Sequence, residues 1–381
     1  MEPIVGIGRE DGSRWERRTA LVPEDVARLR AQSGVRFLVQ PSPQRCFADE
    51  QYGAAGAELR EDLAEAQLVL AVRELAPEKV LPGKVYAFFA QVVQGQPARM
   101  PLLRQLLRLR CSLIDYERLA DDENRRLLSF GLHAGHAGMI DSLLCLGRRL
   151  AALGDPTALT DLQPAHDYHD LGEARAHLAQ IVARLERDLP AHLRPLTIGV
   201  AGTGTAARGA REILDGVKVR RTPVQDLAID AARGRGAAAP ALLQVWFDEA
   251  DLIGGADSKA TLDSSIAWLE PQLEHVDLLI HAARWDARSP HLVTCEWARR
   301  TYAPGARPRL QVIGDLTGDI DGGVELTVKT TTPAEPAFVY DPADGTAHDG
   351  VVGAGPAIMA LENLPQELPR DCSWHSSASG R

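Results

Sequence analysis

The chain is poor in lysine. Of 42 basic residues only five are lysines (Lys79, Lys84, Lys218, Lys259 and Lys329), and the rest are arginines. Chemistry that needs a titrating side-chain amine is therefore confined to five positions. Cysteine is scarce as well. Cys46, Cys111, Cys145, Cys295 and Cys372 are scattered, odd in number and without C-x-x-C spacing. That pattern argues against a disulfide scaffold or a zinc site and fits reduced thiols in a cytoplasm, with no metal expected. No apolar run approaches the length of a membrane span. Residues 1–10 lack a basic segment followed by a long apolar core, so a secretory signal is not expected. The formal charge of −10 disfavours nucleic acid and anionic membrane as partners. There is no repeat at fixed period and no low-complexity run.

What is present is enough apolar residue, 45% of 381, for two ordinary domains. Short apolar runs at residues 4–8, 35–39, 68–72, 85–89 and 112–114 alternate with helical patterns at 23–32 and 101–110. Helical turns are expected at 49–53 and 62–66. Such alternation argues a parallel sheet with helices on both faces. Residues 131–150 form a long helical stretch with a small residue every few positions, which suggests close backbone packing at a domain junction or against a ligand. A second long helix is expected at 170–189 and a surface loop at 234–240.

The most informative stretch is 195–214. Leu196 to Ala201 reads as a buried strand, and Gly202, Gly204 and Ala207 follow at G-x-G-x-x-A spacing before a helical pattern. Gly202 permits a tight turn, Gly204 lets the backbone approach a pyrophosphate, and Ala207 allows close helix–strand packing. The helix start, from Thr205, then offers N–H groups to the anion. An NAD site wants an acid about 20 residues on, at the end of the next strand. Here that strand is read as Val217 to Arg221, and it ends in Arg220 and Arg221. Guanidinium groups suit a 2′-phosphate, so NADP(H) is favoured over NAD(H), with two solvated arginines as the bland alternative. Strands at 278–280 and 311–313 end at His281 and Asp315, and ligands of open α/β sheets bind at such carboxyl ends.

Several motifs, in order along nearly the whole chain, resemble one family. They are Arg9-Glu10-Asp11 with Trp15-Glu16-Arg17-Arg18, Tyr86-Ala87-Phe88-Phe89, Ile114-Asp115-Tyr116-Glu117, and Gly131 with Ala134-Gly135 and Ala137-Gly138-Met139. Later come Gly202-Thr203-Gly204, Asp315 with Gly322-Gly323 and Glu325, and Glu362-Asn363-Leu364-Pro365. This is similar to the lysine–2-oxoglutarate reductase and saccharopine dehydrogenase family, related to alanine dehydrogenase. The resemblance implies an α/β fold of two Rossmann-like domains with parallel sheets and a cleft between them. It places residues 1–130 plus about 340–381 on the substrate side and 131–339 on the cofactor side. It implies reductive condensation of an amino acid with a 2-oxo acid through an imine, with small-molecule substrates and a homo-oligomer left open. The alternatives are a catalytically silent cofactor-binding homologue and an NAD-dependent saccharopine or opine-type dehydrogenase.

The resemblance also assigns residues. Arg18, with Arg17, stands where the family binds a substrate carboxylate, against the alternative of a salt bridge to Glu16 or Glu24. Asp315 matches an Asp by the nicotinamide ribose and substrate amine, against a helix cap. The departures are Arg73 (followed by Glu74) and Gln91, where relatives carry a catalytic lysine and histidine, and Gln94 in place of a further lysine. Arginine does not release its proton at working pH and glutamine does not titrate. Arg73, Glu74 and Gln91 can hold substrate, but neither Arg73 nor Gln91 is an ordinary base. His133 and His136, three apart and so on one helix face, and His281, where relatives resemble Asn, are the candidates for a relocated base. Their alternative is packing.

Overall fold

The computed structural model describes residues 2–93, 95–233, 240–252, 269–286, 289 and 291–379. Gln94 and residues 234–239 of the expected loop lie outside them. The chain divides into two compact units, Met1–Phe130 with Pro369–Arg381, and Gly131–Leu368.

The first unit is built on six strands, β1 (Ile4–Ile7), β2 (Arg36–Val39), β3 (Glu58–Leu59), β4 (Leu68–Arg73), β5 (Val85–Phe89) and β6 (Ser112–Asp115). They run in the order β3-β2-β1-β4-β5-β6 with every pairing parallel. This is the doubly wound order, which opens a crevice at the carboxyl ends of β1 and β4, where the winding reverses. Helix α1 (Pro23–Ser33) starts on a proline, whose fixed φ suits a first helical turn, and stops at Gly34 in the left-handed region (φ 67°). Helices α2 (Asp49–Ala54) and α3 (Met100–Arg108) complete the layers, α3 burying Leu102 and Leu106. The expected helical turn at 62–66 is instead a tight turn in which the Ala64 N–H donates to the Asp62 carboxylate (2.8 Å). The C-terminal helix Pro369–Ser379 closes the unit. Its Ser373 hydroxyl accepts the Thr19 N–H (2.9 Å), and Arg370 donates to the Cys46 carbonyl (2.8 Å).

The second unit begins with α4 (Gly131–Ala152), followed by α5 (Leu171–Asp188). Its sheet contains β7 (Leu196–Ala201), β8 (Arg220–Thr222), β9 (Leu242–Phe247), β10 (Leu278–His281), β11 (Val312–Asp315), β12 (Phe338–Tyr340), β13 (Ala347–Asp349) and β14 (Ala357–Met359). The order is β13-β12-β14-β11-β10-β7-β9-β8. Helix α6 (Thr205–Asp215) follows β7 directly. Two expectations are corrected. The sheet is mixed rather than wholly parallel, because β12 runs antiparallel to β14 and to β13. The chain also returns to the first unit at Pro369, not near residue 340, because β14 pairs with β11 and keeps residues 338–359 in this sheet.

One of the small residues of α4, Gly135, has a helix as its partner, whereas Gly138 faces the Leu316 side chain and Gly147 the Leu159–Thr160 backbone. A Cβ on Gly135 would collide with the Ala206 carbonyl, and one on Gly209 with the Leu132 carbonyl, so α4 and α6 meet backbone to backbone. Gly209→Ala is expected to destabilise the protein by about 1–3 kcal/mol or more through this overpacking. Gly216→Ala, at a helix end with open space around it, should be neutral or slightly stabilising. Denaturant midpoints of the two variants test this. Equal midpoints would mean that the helices can part without cost.

Candidate active site

In the first unit, the segments leaving the carboxyl ends of β1, β4 and β5 carry the charged residues. Arg18 and Glu16 form a two-pronged pair, Nε to Oε1 at 2.7 Å and Nη2 to Oε2 at 2.6 Å, with exposures of 5% and 1%. Burial pushes the Glu16 carboxyl up, but the Arg18 guanidinium more than offsets it, and Glu16 titrates below the ordinary range. The salt-bridge alternative for Arg18 is therefore present: one edge of its fork is filled by Glu16, and the Phe130 ring lies 4.8 Å below its Cζ. Arg17 fixes the same loop through its carbonyl, which accepts the Cys46 N–H (2.8 Å).

Arg73 ends β4, and its Nε stands 3.9 Å from Glu74. Glu74 and Gln91 are both held by Arg99. Arg99 Nη1 pairs with the Glu74 carboxylate, and Nη2 donates to Gln91 Oε1 at 3.2 Å. Gln91 sits at φ 52°, a conformation that side chains rarely adopt and that tends to mark functional sites. Sequence reasoning missed Arg99. The turn Pro97–Arg99 that follows β5 was the signal, since it points a cation back at the strand ends.

Glu10 was also missed as a titrating group. Its carboxylate accepts the backbone N–H groups of Val72 (2.5 Å) and Arg73 (3.1 Å), and so fixes the end of β4 from which Arg73 projects. Burial above all, then the Glu16 charge, raises its pKa from 4.5 to about 7.

In the second unit, β7 runs into Gly202 (φ 114°), and Gly204 precedes the first residue of α6, Thr205. A Cβ on Gly204 would meet nothing within 4 Å, so the turn faces open space at the start of an 11-residue helix. Ala207 is fully buried. These features fit a dinucleotide pyrophosphate.

The strand beside β7 is β9, not β8 as the spacing suggested, because β8 lies at the sheet edge. Arg220 is committed to Asp230 (2.7 Å). Arg221 instead reaches β9, its Cζ 3.2 Å from the centre of the Trp246 indole, where the Arg211 Cζ also lies at 4.3 Å. Burial and the Arg221 charge both lower the Arg211 pKa. The buried Arg211 Nε and Trp246 Nε1 have no hydrogen-bond partner. Just past β9 stands Asp248, an exposed acid that caps the next turn by accepting the Asp251 N–H (3.0 Å).

His281 and Asp315 are register partners on β10 and β11, and both are fully buried. His281 Nδ1 lies 2.9 Å from Asp315 Oδ1. Asp315 also accepts from the Thr317 N–H (3.1 Å), the Thr317 hydroxyl (2.8 Å) and the Thr327 hydroxyl (2.7 Å). Burial pushes its pKa up, but His281 and the two hydroxyls more than offset this, and it is lowered overall. His133 and His136 do share a helix face, with rings 5.8 Å apart. His136 Nε2 meets Glu212 of α6 at 2.9 Å, and burial lowers its pKa despite that carboxylate. His136 thus belongs to the α4–α6 packing. Among the described residues no group of three or more His, Cys, Asp or Glu could hold a metal ion, and no helix is long and apolar enough to cross a membrane.

Residues 6–137 match the family "Alanine dehydrogenase/PNT, N-terminal domain". The chain is 31% identical to the mitochondrial α-aminoadipic semialdehyde synthase of Bos taurus, over 96% of this chain and 42% of that protein. It is 30% identical to the α-aminoadipic semialdehyde synthase of Arabidopsis thaliana, over 98% of this chain and 37% of that protein. It thus spans less than half the length of these relatives. It is 25% identical to the saccharopine dehydrogenase (NAD(+), L-lysine-forming) of Neurospora crassa, over 98% and 88% of the two chains. Among solved structures, L-alanine dehydrogenase is similar in fold, with TM-score 0.61 at 17% identity over 99% and 87% of the chains. The transhydrogenase of Sinorhizobium meliloti follows at TM-score 0.57 and 18% identity over 99% and 91%. The Rossmann-like fold of both units agrees with these neighbours.

Two consequences can be measured. Arg18→Ala would strand the buried Glu16 carboxylate and should cost about 3–5 kcal/mol of stability, where loss of a surface pair would cost under about 1. The Glu10 effect has a definite sign. With its folded pKa near 7 against 4.5 in the unfolded chain, the folded state holds a proton that the unfolded state has lost. Its contribution is therefore full below pH 4.5 and is lost as pH rises to 7, on the order of 3 kcal/mol in all. Urea melts across this range should show a smaller fall for Glu10→Gln than for wild type. Parallel curves would remove Glu10 from the account.

Proposed function

We propose that this chain, a homologue of the α-aminoadipic semialdehyde synthases and saccharopine dehydrogenases that carries an alanine dehydrogenase/PNT N-terminal domain, is an NADP(H)-dependent oxidoreductase that condenses an amino acid with a 2-oxo acid through an imine. The carrying observation is the strand–glycine turn–helix at Gly202 to Ala207, with His281 and Asp315 on the strands alongside. The pyrophosphate would rest on Gly202, Gly204, Thr205 and Ala207, and the nicotinamide supplies the hydride when bound. We read the second unit as the cofactor side and the first as the substrate side, where Arg18, Arg73 and Arg99 offer fixed positive charge to carboxylates. None of the five cysteines is in a disulfide, which supports our reading of a cytoplasmic protein.

For the cofactor, two guanidinium groups against one indole repel each other, and a phosphate dianion relieves that repulsion with paired hydrogen bonds. Arg221 with Arg211 therefore supports NADP(H). Asp248, past the strand next to β7, is the observation that favours NAD(H) instead. A silent cofactor-binding homologue is the remaining rival, and it rests on Arg73 and Gln91.

The deciding experiment is a panel of amino acids and 2-oxo acids read by NADPH and NADH absorbance, with Arg221→Ala and Asp248→Asn beside wild type. The proposal expects turnover with at least one pair. It also expects Arg221→Ala to weaken NADP(H) about tenfold to hundredfold while Asp248→Asn leaves preference intact. Preference for NADH lost on Asp248→Asn reverses the cofactor reading. Turnover gained only by the double change Arg73→Lys with Gln91→His establishes the silent homologue.

A further inference from the structure

We infer that His281, oriented by Asp315, is the proton-accepting group of the cofactor-binding unit. The inference rests on the amino-acid oxidoreductase reading and adds to it the residue that takes the substrate's proton.

Position comes first. His281 is the last residue of β10 and lies in register with Ala201 of β7 on one side and Asp315 of β11 on the other. The next residue, Ala282, donates its N–H to Ala201 (2.9 Å), and a Cβ on Gly202 would sit 2.6 Å from the Ala282 carbonyl oxygen. The histidine is thus one residue from the backbone against which the nucleotide turn is packed.

The hydrogen bonds then fix the tautomer. Asp315 titrates low and accepts from two hydroxyls and a backbone N–H, so it acts as a pure acceptor. The Nδ1 of His281 must be its donor, which leaves the proton off Nε2. Nε2 is buried and has no partner. A proton placed there in the resting protein would be a buried donor with no acceptor, whereas a lone pair there is an open acceptor.

What covers Nε2 is Gly323. A Cβ on that residue would fall 2.6 Å from Nε2 and 2.8 Å from Cε1, so only glycine fits against this nitrogen. The inferred step is a proton transfer. The substrate ammonium N–H bond breaks, its electron pair stays on nitrogen, and an N–H bond forms at Nε2. The Asp315 carboxylate balances the new imidazolium charge. In the reverse direction the same proton returns to the amine. Asp319, in the turn after β11, feels the charges of both Asp315 and His281, and burial above all raises its pKa. The His291 ring lies 5.2 Å from that of Trp285, tilted by 32°, and its Nε2 is 3.7 Å from Glu325. Asp319 and His291 are the neighbouring groups from which His281 must be told apart.

The test combines nitrogen-15 NMR of histidine with kinetics. In wild type near pH 7.5 the His281 signals should show Nδ1 protonated and Nε2 bare. The Nε2 signal should move when L-saccharopine is added to protein saturated with NADP⁺. Asp315→Asn, which keeps the side-chain volume, should mix the tautomers. In the kinetics, His281→Asn and His281→Gln should each lower kcat about 10²–10⁴-fold and remove one ionisation from its pH profile, while Asp319→Asn and His291→Asn retain it. Gly323→Ala should give the same loss as His281→Asn. A proton on Nε2 in the resting protein overturns the inference, as does an unchanged pH profile in folded His281→Asn. If wild type turns over no substrate pair, the enzyme reading fails. In that case an Nε2 signal that still responds to saccharopine sustains the proton acceptor, and a silent one removes it.

Discussion

The second unit depends on two helices touching without side chains between them. Gly135 and Gly209 bring α4 and α6 to backbone contact, and Ala207 on the same helix is fully buried. That contact sets where α6 starts, and so where the Gly202–Gly204 turn presents its N–H groups. Helix α4 is buried along most of its length and carries the central apolar cluster together with β7, β10 and β11. Helix α4 holds four glycines, and the three in its interior, at about 1 kcal/mol each in propensity, are tolerable only because packing of this kind returns more. Placement of the Gly202–Gly204 turn is thus a consequence of close packing rather than of its own glycines alone.

Much of this was legible in the sequence. Apolar runs of four to six residues marked β1, β4, β5 and β7, and the G-x-G-x-x-A spacing located α6. Short elements escaped. β3 is two residues long, and its pairing with β2 is a tertiary fact. Strand order escaped for a deeper reason. Sequence gives the succession of strands but not which one lies beside β7, and the spacing rule assumes that the next strand is the neighbour. Here β9 intervenes, so the acid test applies to Asp248 as well as to Arg220 and Arg221. For the same reason a run of arginines in sequence separated in space, Arg220 going to Asp230 and Arg221 to Trp246.

The candidate site was legible by residue type more than by role. Arg18 was read as a carboxylate clamp, and the structure fills one edge of its fork with Glu16. His133 and His136 were read as one face of a helix, and His136 on it is taken up by Glu212 of α6. The roles of Arg99 and Glu10 were not legible, because each matters through what it holds. Arg99 holds Glu74 and Gln91, and Glu10 holds the backbone on which Arg73 stands. Sequence patterns report which residues can do chemistry. They do not report which of these are already occupied by a neighbour.

Occupancy bears directly on the proton chemistry. The family resemblance expects a lysine and a histidine where this chain has Arg73 and Gln91, and neither of these changes charge at working pH. Arg99 fixes Gln91, so a substrate held there, as we propose, would meet charge and rigidity but no titrating group at these two positions. A reaction that moves a proton must then find its carrier among groups with an unfilled valence. Asp315 accepts four hydrogen bonds and His136 is bound to Glu212, whereas His281 keeps one nitrogen open while its other is held by a carboxylate. Arg18, Arg73 and Arg99 stand on the first unit, and His281, with Nδ1 held by a buried carboxylate and Nε2 without a partner, stands on the second beside the Gly202 turn.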